Sequence, residues 1–373
     1  MRESLEATLV SGWRRRGLLA WLLRPLSLLY GAATTARRWL YQRGFMASES
    51  VDVPVIVVGN LVAGGAGKTP VTIELVRHLV ARGVAAGVVS RGHGRKLSRL
   101  LPDVREVGAN SSAAEAGDEP LLIRRATGAP VFVGRDRPAA ARALLAAHPE
   151  LRIILSDDGL QHFRLQRDAE ICVIGARGFG NGWPLPAGPL RETGRRVTWV
   201  LDGRSEPQPQ PQPSWSPSPS PMPQPVDERI VRASDGQFTI SRRLADHALA
   251  ADGSRIALAS LIGTPLTAVA AIADPSAFFD MLRAEGLSLT NCQALPDHYD
   301  FDSYKAPTNE RGRLVCTEKD AVKLWPTHPH ALAVPLALTI DPAFFAALDV
   351  WLDAGLGAPP AAPLSSGDGH PPP

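Results

Sequence analysis

The 373-residue chain predicts an α/β fold built on a doubly wound, mostly parallel sheet. Three observations carry this reading. From residue 53 to about 200, short apolar runs alternate with amphipathic stretches, the pattern of strands joined by crossover helices. A glycine-rich segment, Gly64-Gly65-Ala66-Gly67, lies between the first apolar run and the first helical stretch, and continues into Lys68-Thr69-Pro70. The chain is also long enough for a large core and a second, smaller α/β domain.

Residues 1–46 come first. They hold eight arginines against Glu3 and Glu6, which leaves the rest of the chain about neutral. The stretch 17–33 is strongly apolar but broken by Arg24-Pro25, so neither half is long enough to span a bilayer. Trp13, Trp21, Tyr30, Trp39 and Tyr41 flank it or lie within it, as amphipathic rings do at a headgroup boundary. We expect one or two membrane-associated helices on an anionic leaflet; the plainer alternative is a hairpin packed on the core. Arginines resume at Arg37 without a signal-peptide cleavage site.

Residues 47–206 form the expected core domain. Strands are predicted at 53–58, 87–90, 131–133, 153–155, 170–175 and 197–201, with helices at 71–82, 119–127 and 138–147. Residues 207–225 follow, a low-complexity insert with proline at nearly every second position. That composition forbids helix and sheet and favours an extended spacer. A second α/β unit is expected over 226–356, with strands at 237–241, 255–259 and 313–317 and a helix at 276–285. Residues 357–373 read as a disordered tail. Cys172, Cys292 and Cys316 are widely spaced and odd in number, which fits a reducing cytoplasm and neither a disulfide framework nor a metal motif. The small net charge gives no argument for nucleic acid, and no obligate protein partner is evident.

Strand, glycine loop, Lys-Thr and helix together suit nucleotide phosphates. Backbone N–H groups surround the anion, the lysine reaches the outer phosphates, and the threonine hydroxyl holds Mg²⁺. Residues 64–70 are therefore the candidate ATP-binding segment of a P-loop NTPase-like domain. The full pattern wants glycine at position 62, where Val62 stands. Asp157 and Asp158 end an apolar strand, where carboxylates beside a phosphate loop can organise Mg²⁺; alone, Asp-Asp-Gly is simply a turn.

Asp118, in Gly117-Asp118-Glu119-Pro120, is either a helix N-cap or a carboxylate that accepts a proton from an attacking hydroxyl. His298, in Pro296-Asp297-His298-Tyr299, is structural or catalytic. Thr317-Glu318-Lys319-Asp320 either presents polar groups to a ligand or caps the next helix. Arg91, Arg177, Asn181 and Arg191 lie in glycine- and proline-rich loops and are the substrate-side candidates, with Glu192 beside them; the alternative is ordinary surface charge.

Together these segments resemble the tetraacyldisaccharide 4'-kinase family. The matches include G-N-L-V-A-G-G-A-G-K-T-P (59–70), S-R-G-H-G-R (90–95), G-D-E-P-L-L-I (117–123) and V-G-R-D-R (133–137). They continue with D-D-G-L-Q-H (157–162), G-F-G-N-G (178–182), L-P-A-G-P-L-R-E (185–192), P-D-H-Y (296–299) and T-E-K-D-A-V-K (317–323). The resemblance spans roughly residues 14 to 350. It implies transfer of the ATP γ-phosphate to the 4'-hydroxyl of a tetraacylated disaccharide 1-phosphate, giving lipid IVA at the cytoplasmic face of a Gram-negative inner membrane. It also implies that Lys68 and Thr69 bind phosphate and Mg²⁺, that Asp118 is the catalytic base paired with His298, that Asp157 and Asp158 serve the metal and the site's electrostatics, with Asp158 among the catalytic residues, and that Glu192 assists. The family's loop also lacks the first glycine.

This chain departs from the family at Ala66, His93, Ala271, Ala273 and Asp274 and in its proline-rich insert. The rival reading is a membrane-associated switch ATPase of the partition or metallochaperone kind. Its signature lysine is absent, since Ala63 occupies that place.

Overall fold

The computed structural model describes residues 12–13, 15–95, 103–108, 110–204, 227–306 and 313–356. The proline-rich insert, the C-terminal tail and the first eleven residues lie outside the described residues. Two helices come first, α1 (Leu18–Leu22) and α2 (Arg24–Gln42). Pro25 stands in the first turn of α2, where a missing N–H costs nothing.

The core follows in the order β1 (Val55–Gly59), α3 (Lys68–Ala81), β2 (Ala86–Ser90), β3 (Arg105–Glu106), α4 (Ala113–Ala116), α5 (Asp118–Thr127) and β4 (Val131–Val133). It continues with α6 (Arg137–Ala147), β5 (Ile153–Asp157), β6 (Ala169–Ile174), β7 (Arg195–Val197) and β8 (Trp199–Asp202). Beyond the insert come β9 (Val231–Ala233), β10 (Gln237–Leu244), β11 (His247–Leu249), β12 (Arg255–Ala257), β13 (Leu266–Ala270), α7 (Pro275–Ala284) and β14 (Leu289–Ala294). The last elements are β15 (Arg313–Thr317), α8 (Glu318–Leu324), β16 (Leu332–Val334), β17 (Leu336–Ile340) and α9 (Pro342–Leu356).

A nine-stranded sheet runs in the order β17-β10-β8-β6-β1-β5-β2-β4-β3. Its interior pairs are parallel, and only the edge pairs β10–β17 and β3–β4 are antiparallel. Both faces are covered, which explains why β1 is apolar at every position. Ile56 and Val58 pack with α3, α5 and α9, while Val55 and Val57 pack with α6. The crevice at the carboxyl ends of β1 and β5 is where an open α/β sheet receives a ligand.

Three expectations change. The single strand expected at 197–201 is two strands, because β7 leaves the main sheet to pair with β9. The expected boundary at 226 does not divide the sheets. β10 extends the main sheet beyond β8, and α9 buries Phe344, Leu348 and Leu352 in the same core as Trp199. The second unit is therefore the excursion between β10 and β17, a six-stranded sheet ordered β12-β11-β16-β15-β13-β14 with its own core.

The N-terminal helices have two faces. On the inner face, Ala20 packs with Trp183 and Ala187, and Ser27 donates to the Pro184 carbonyl at 2.7 Å. The Arg24 guanidinium lies 4.4 Å from the Trp183 ring centre. The outer face is apolar and bare: Leu18, Leu22 and Leu29 are 92, 78 and 68% exposed. Among the described residues no helix is long and apolar enough to cross a membrane.

Candidate active site

The phosphate loop is built by close backbone approach. Gly67, just before α3, has φ +77, and a Cβ there would lie 2.7 Å from the Arg242 guanidinium. Arg242, on β10, donates to the Ala66 carbonyl at 2.9 Å. A Cβ on Gly64 would come 3.3 Å from Arg177, so Arg177 also lies over the loop. Val62 bridges Leu190 in antiparallel fashion and Ala63 N–H donates to the Pro189 carbonyl at 2.7 Å. Position 62 is thus extended backbone and has no need of glycine.

Lys68 is buried, with Nζ 3.5 Å from Asp158 Oδ1 and 3.4 Å from Asn60 Oδ1. Asn60 shapes the loop by donating to the carbonyls of Val62 (2.9 Å) and Gly64 (3.3 Å). Sequence reasoning missed Asn60 and Arg242. A buried amide directly after an apolar strand is a signal that could have found Asn60. Nothing local could have found Arg242.

Asp157 ends β5 and is fully buried. Thr72 donates to its Oδ1 at 3.0 Å, while Oδ2 has no partner among the described residues. Burial, with the nearby charge of Glu119, pushes its carboxyl well above the usual range against the pull of Lys68. Asp158 has φ +48, a backbone conformation that non-glycine residues rarely adopt. That turn aims its carboxylate at Lys68 and at Arg191, 3.1 Å away. Burial opposes its charge, but Lys68, Arg191 and Arg137 outweigh burial and hold it below the usual range. The environment therefore drives two adjacent carboxylates apart. Arg137 is buried beside them and donates to the Asp157 carbonyl at 3.0 Å. Thr69 is buried in the first turn of α3.

Asp118 is not the N-cap of α5. Gly117, with φ +90, takes that place, and Asp118 stands one residue inside the helix. Its side chain turns across to the second unit. Asp118 Oδ2 lies 3.0 Å from His298 Nδ1 and 2.9 Å from Lys323 Nζ. Burial opposes its charge, but the His298 and Lys323 contacts outweigh burial and keep its carboxyl below the usual range. On the far side of the ring, Lys319 Nζ is 3.3 Å from His298 Nε2 and 3.0 Å from Asp297 Oδ1. The His93 and His298 rings are 4.9 Å apart, and burial pushes the His93 imidazole down.

A cleft of about 340 Å³ opens beside Asp158 and His93. Its wall holds Arg91, His93, Glu119, Asp158, Arg191 and Glu192, closed by Tyr30, Thr34 and Arg37 of α2. Glu192 is not beside Asp118. It is buried, accepts from Gln161 at 2.9 Å, and lies 3.8 Å from Arg38 of α2. Asn181 departs from its expected substrate role. Its amide donates to the Ala187 carbonyl at 2.8 Å and its oxygen accepts from Trp183 N–H at 3.0 Å, so it braces the loop beneath α1. Among the described residues no three His, Cys, Asp or Glu side chains converge to hold a metal ion by themselves.

Comparison with known proteins finds relatives along nearly the whole chain. The family described as tetraacyldisaccharide-1-P 4'-kinase matches residues 19–353. The tetraacyldisaccharide 4'-kinase of Acidovorax sp. (strain JS42) is 55% identical over 349 residues, covering 93% of this chain and 95% of that protein. That of Polaromonas naphthalenivorans (strain CJ2) is 48% identical and covers 98% of this chain and 99% of that protein. A crystal structure of the "apo" form of LpxK from Aquifex aeolicus in complex with ATP matches with a TM-score of 0.68 at 25% identity, covering 90% of this chain and 99% of that one. Agreement along nearly the whole chain shows that it belongs to the tetraacyldisaccharide 4'-kinase family.

Proposed function

We propose that this chain transfers the γ-phosphate of ATP to the 4'-hydroxyl of a tetraacylated glucosamine disaccharide 1-phosphate, forming lipid IVA for lipid A synthesis. The observation that carries this reading is that one cleft is lined both by Asp158, the partner of Lys68, and by His93, whose ring lies 4.9 Å from His298 of the Asp118–His298 pair. A sugar hydroxyl is a weak nucleophile, and the transferring group is rich in negative charge. The site must orient the two, offset charge and take one proton.

Amides of residues 64–67 and Lys68 hold the phosphates. Thr69, Asp157 and Asp158 would hold Mg²⁺, and Asp157 Oδ2, which has no partner among the described residues, suits that role. Bound Mg²⁺ neutralises phosphate charge. Asp118 takes the hydroxyl proton, and Arg91 and Arg191 steady the anionic groups. A switch ATPase has no use for a carboxylate–histidine pair of this kind.

The test uses ATP and the disaccharide 1-phosphate in mixed micelles. Wild type is expected to form phosphorylated lipid, and Asp118→Asn to lose about 10²–10⁴-fold in kcat while still binding ATP. No phosphorylated lipid from wild type sinks the reading.

The bare leucines of α1 and α2 support seating at the cytoplasmic face of the inner membrane, on the surface rather than across it. Flotation with anionic vesicles is expected for wild type and lost in the Leu18→Ser, Leu22→Ser double variant. Equal flotation of both removes the helices from this role.

A further inference from the structure

Helix α8 sends two lysines, one turn apart, to opposite ends of the Asp118–His298 pair. Lys323 reaches Asp118 Oδ2, the same oxygen that faces His298 Nδ1. Among the described residues Oδ1 has no hydrogen-bond partner. Lys319 reaches the other ring nitrogen, Nε2. An ammonium has only donors, so Nε2 accepts from it and the ring donates from Nδ1 to Asp118. Lys323 is itself fixed: its side chain is 6% exposed, and its ammonium lies 5.7 Å from the centre of the buried Phe301 ring. Charged and titratable groups face Asp118 from every side. Glu119 lies on its own helix, His93 on the loop after β2, Asp297 and His298 on the turn after β14, and Lys319 and Lys323 on α8.

We propose that Lys323 is a positioning residue for the base. It holds Asp118 ionised through Oδ2 and so leaves Oδ1, as a carboxylate oxygen, for the acceptor hydroxyl. This rests on the kinase reading above. In the step, the hydroxyl proton passes to Asp118 Oδ1 and the hydroxyl oxygen's electron pair forms the new bond to the γ-phosphorus. The bond from that phosphorus to the β-bridging oxygen breaks with its pair and ADP leaves. The proton then passes from Asp118 to solvent. With Oδ2 taken by two donors, Oδ1 is the oxygen left to accept that proton.

The sign of the effect follows. Lys323 lowers the pH at which Asp118 gains a proton, so removing it raises that pH and the base is lost earlier on acidification. Wild-type turnover is measured first and bears on the kinase reading alone. The kcat/KM profile against pH is then compared for wild type, Lys323→Met and Lys323→Arg, with ATP binding as the check on folding. In Lys323→Met the acidic limb is expected to move up by about 1–3 pH units with ATP affinity unchanged, and in Lys323→Arg to stay at the wild-type position. A Lys323→Met limb at the wild-type position overturns the proposal, even with reduced activity, because a purely structural lysine would lower the plateau alone. Should Lys323→Met fail to bind ATP, Lys323→Arg carries the test: a limb unmoved supports the proposal, and a limb moved up despite the retained charge overturns it.

Discussion

The glycine loop and the proposed base, Asp118, are assembled in opposite ways. Asn60, Gly67, Lys68 and Thr69 lie within one strand–loop–helix passage, and their geometry is set by glycine backbone and one strand end. Asp118 meets partners 180 and 205 residues away, in the second unit. A site made within one passage is fixed largely by its own backbone. A site made between two units depends on how those units pack, and each contact across the gap is a separate requirement.

Lys68→Met breaks the comparison most severely. It removes the cation proposed to bind phosphate and leaves Asp158 without one of its partners. Activity is expected to fall by about 10²–10³-fold together with ATP affinity, measured by turnover and by calorimetric titration. Asp118→Asn should leave ATP affinity intact. If the two variants lost ATP binding equally, the loop and the base would not be the separate parts described here.

Gly117→Ala sharpens the comparison with a smaller effect. Gly117 has φ +90, and a Cβ there would lie 2.7 Å from the His93 carbonyl oxygen. The substitution should cost about 1–3 kcal/mol of stability, read from the denaturation midpoint, and should lower kcat by shifting the start of α5. Unchanged stability and kcat would show that the close approach does not fix Asp118.

What could be read in the sequence divides along the same line. The strand into Gly59, the loop and α3 were legible because periodicity, glycine spacing and Lys-Thr are local signals. The pairing of Asp118 with His298 came only through family resemblance, since nothing near either residue points to the other. Lys323 stood in a quoted motif without a role, because a lysine on an amphipathic helix reads as a solvated charge until its neighbours are known. β10 was legible as a strand but not as part of the first sheet, because strand partners are chosen by tertiary packing. Asn181 was misread for a related reason. An asparagine among glycines suits a ligand loop, but here it is enclosed by backbone groups of its own loop.

The chain leaves the main sheet at Leu244 and returns at Leu336, and those two residues are paired neighbours. Shortened to a turn at that point, β10 and β17 would make an ordinary edge hairpin, and the nucleotide-binding sheet would lose no interior strand. In evolutionary terms, one insertion at one hairpin suffices to add the whole second unit. His298, Lys319 and Lys323 therefore all reach the Asp118 side of the molecule through that one hairpin position.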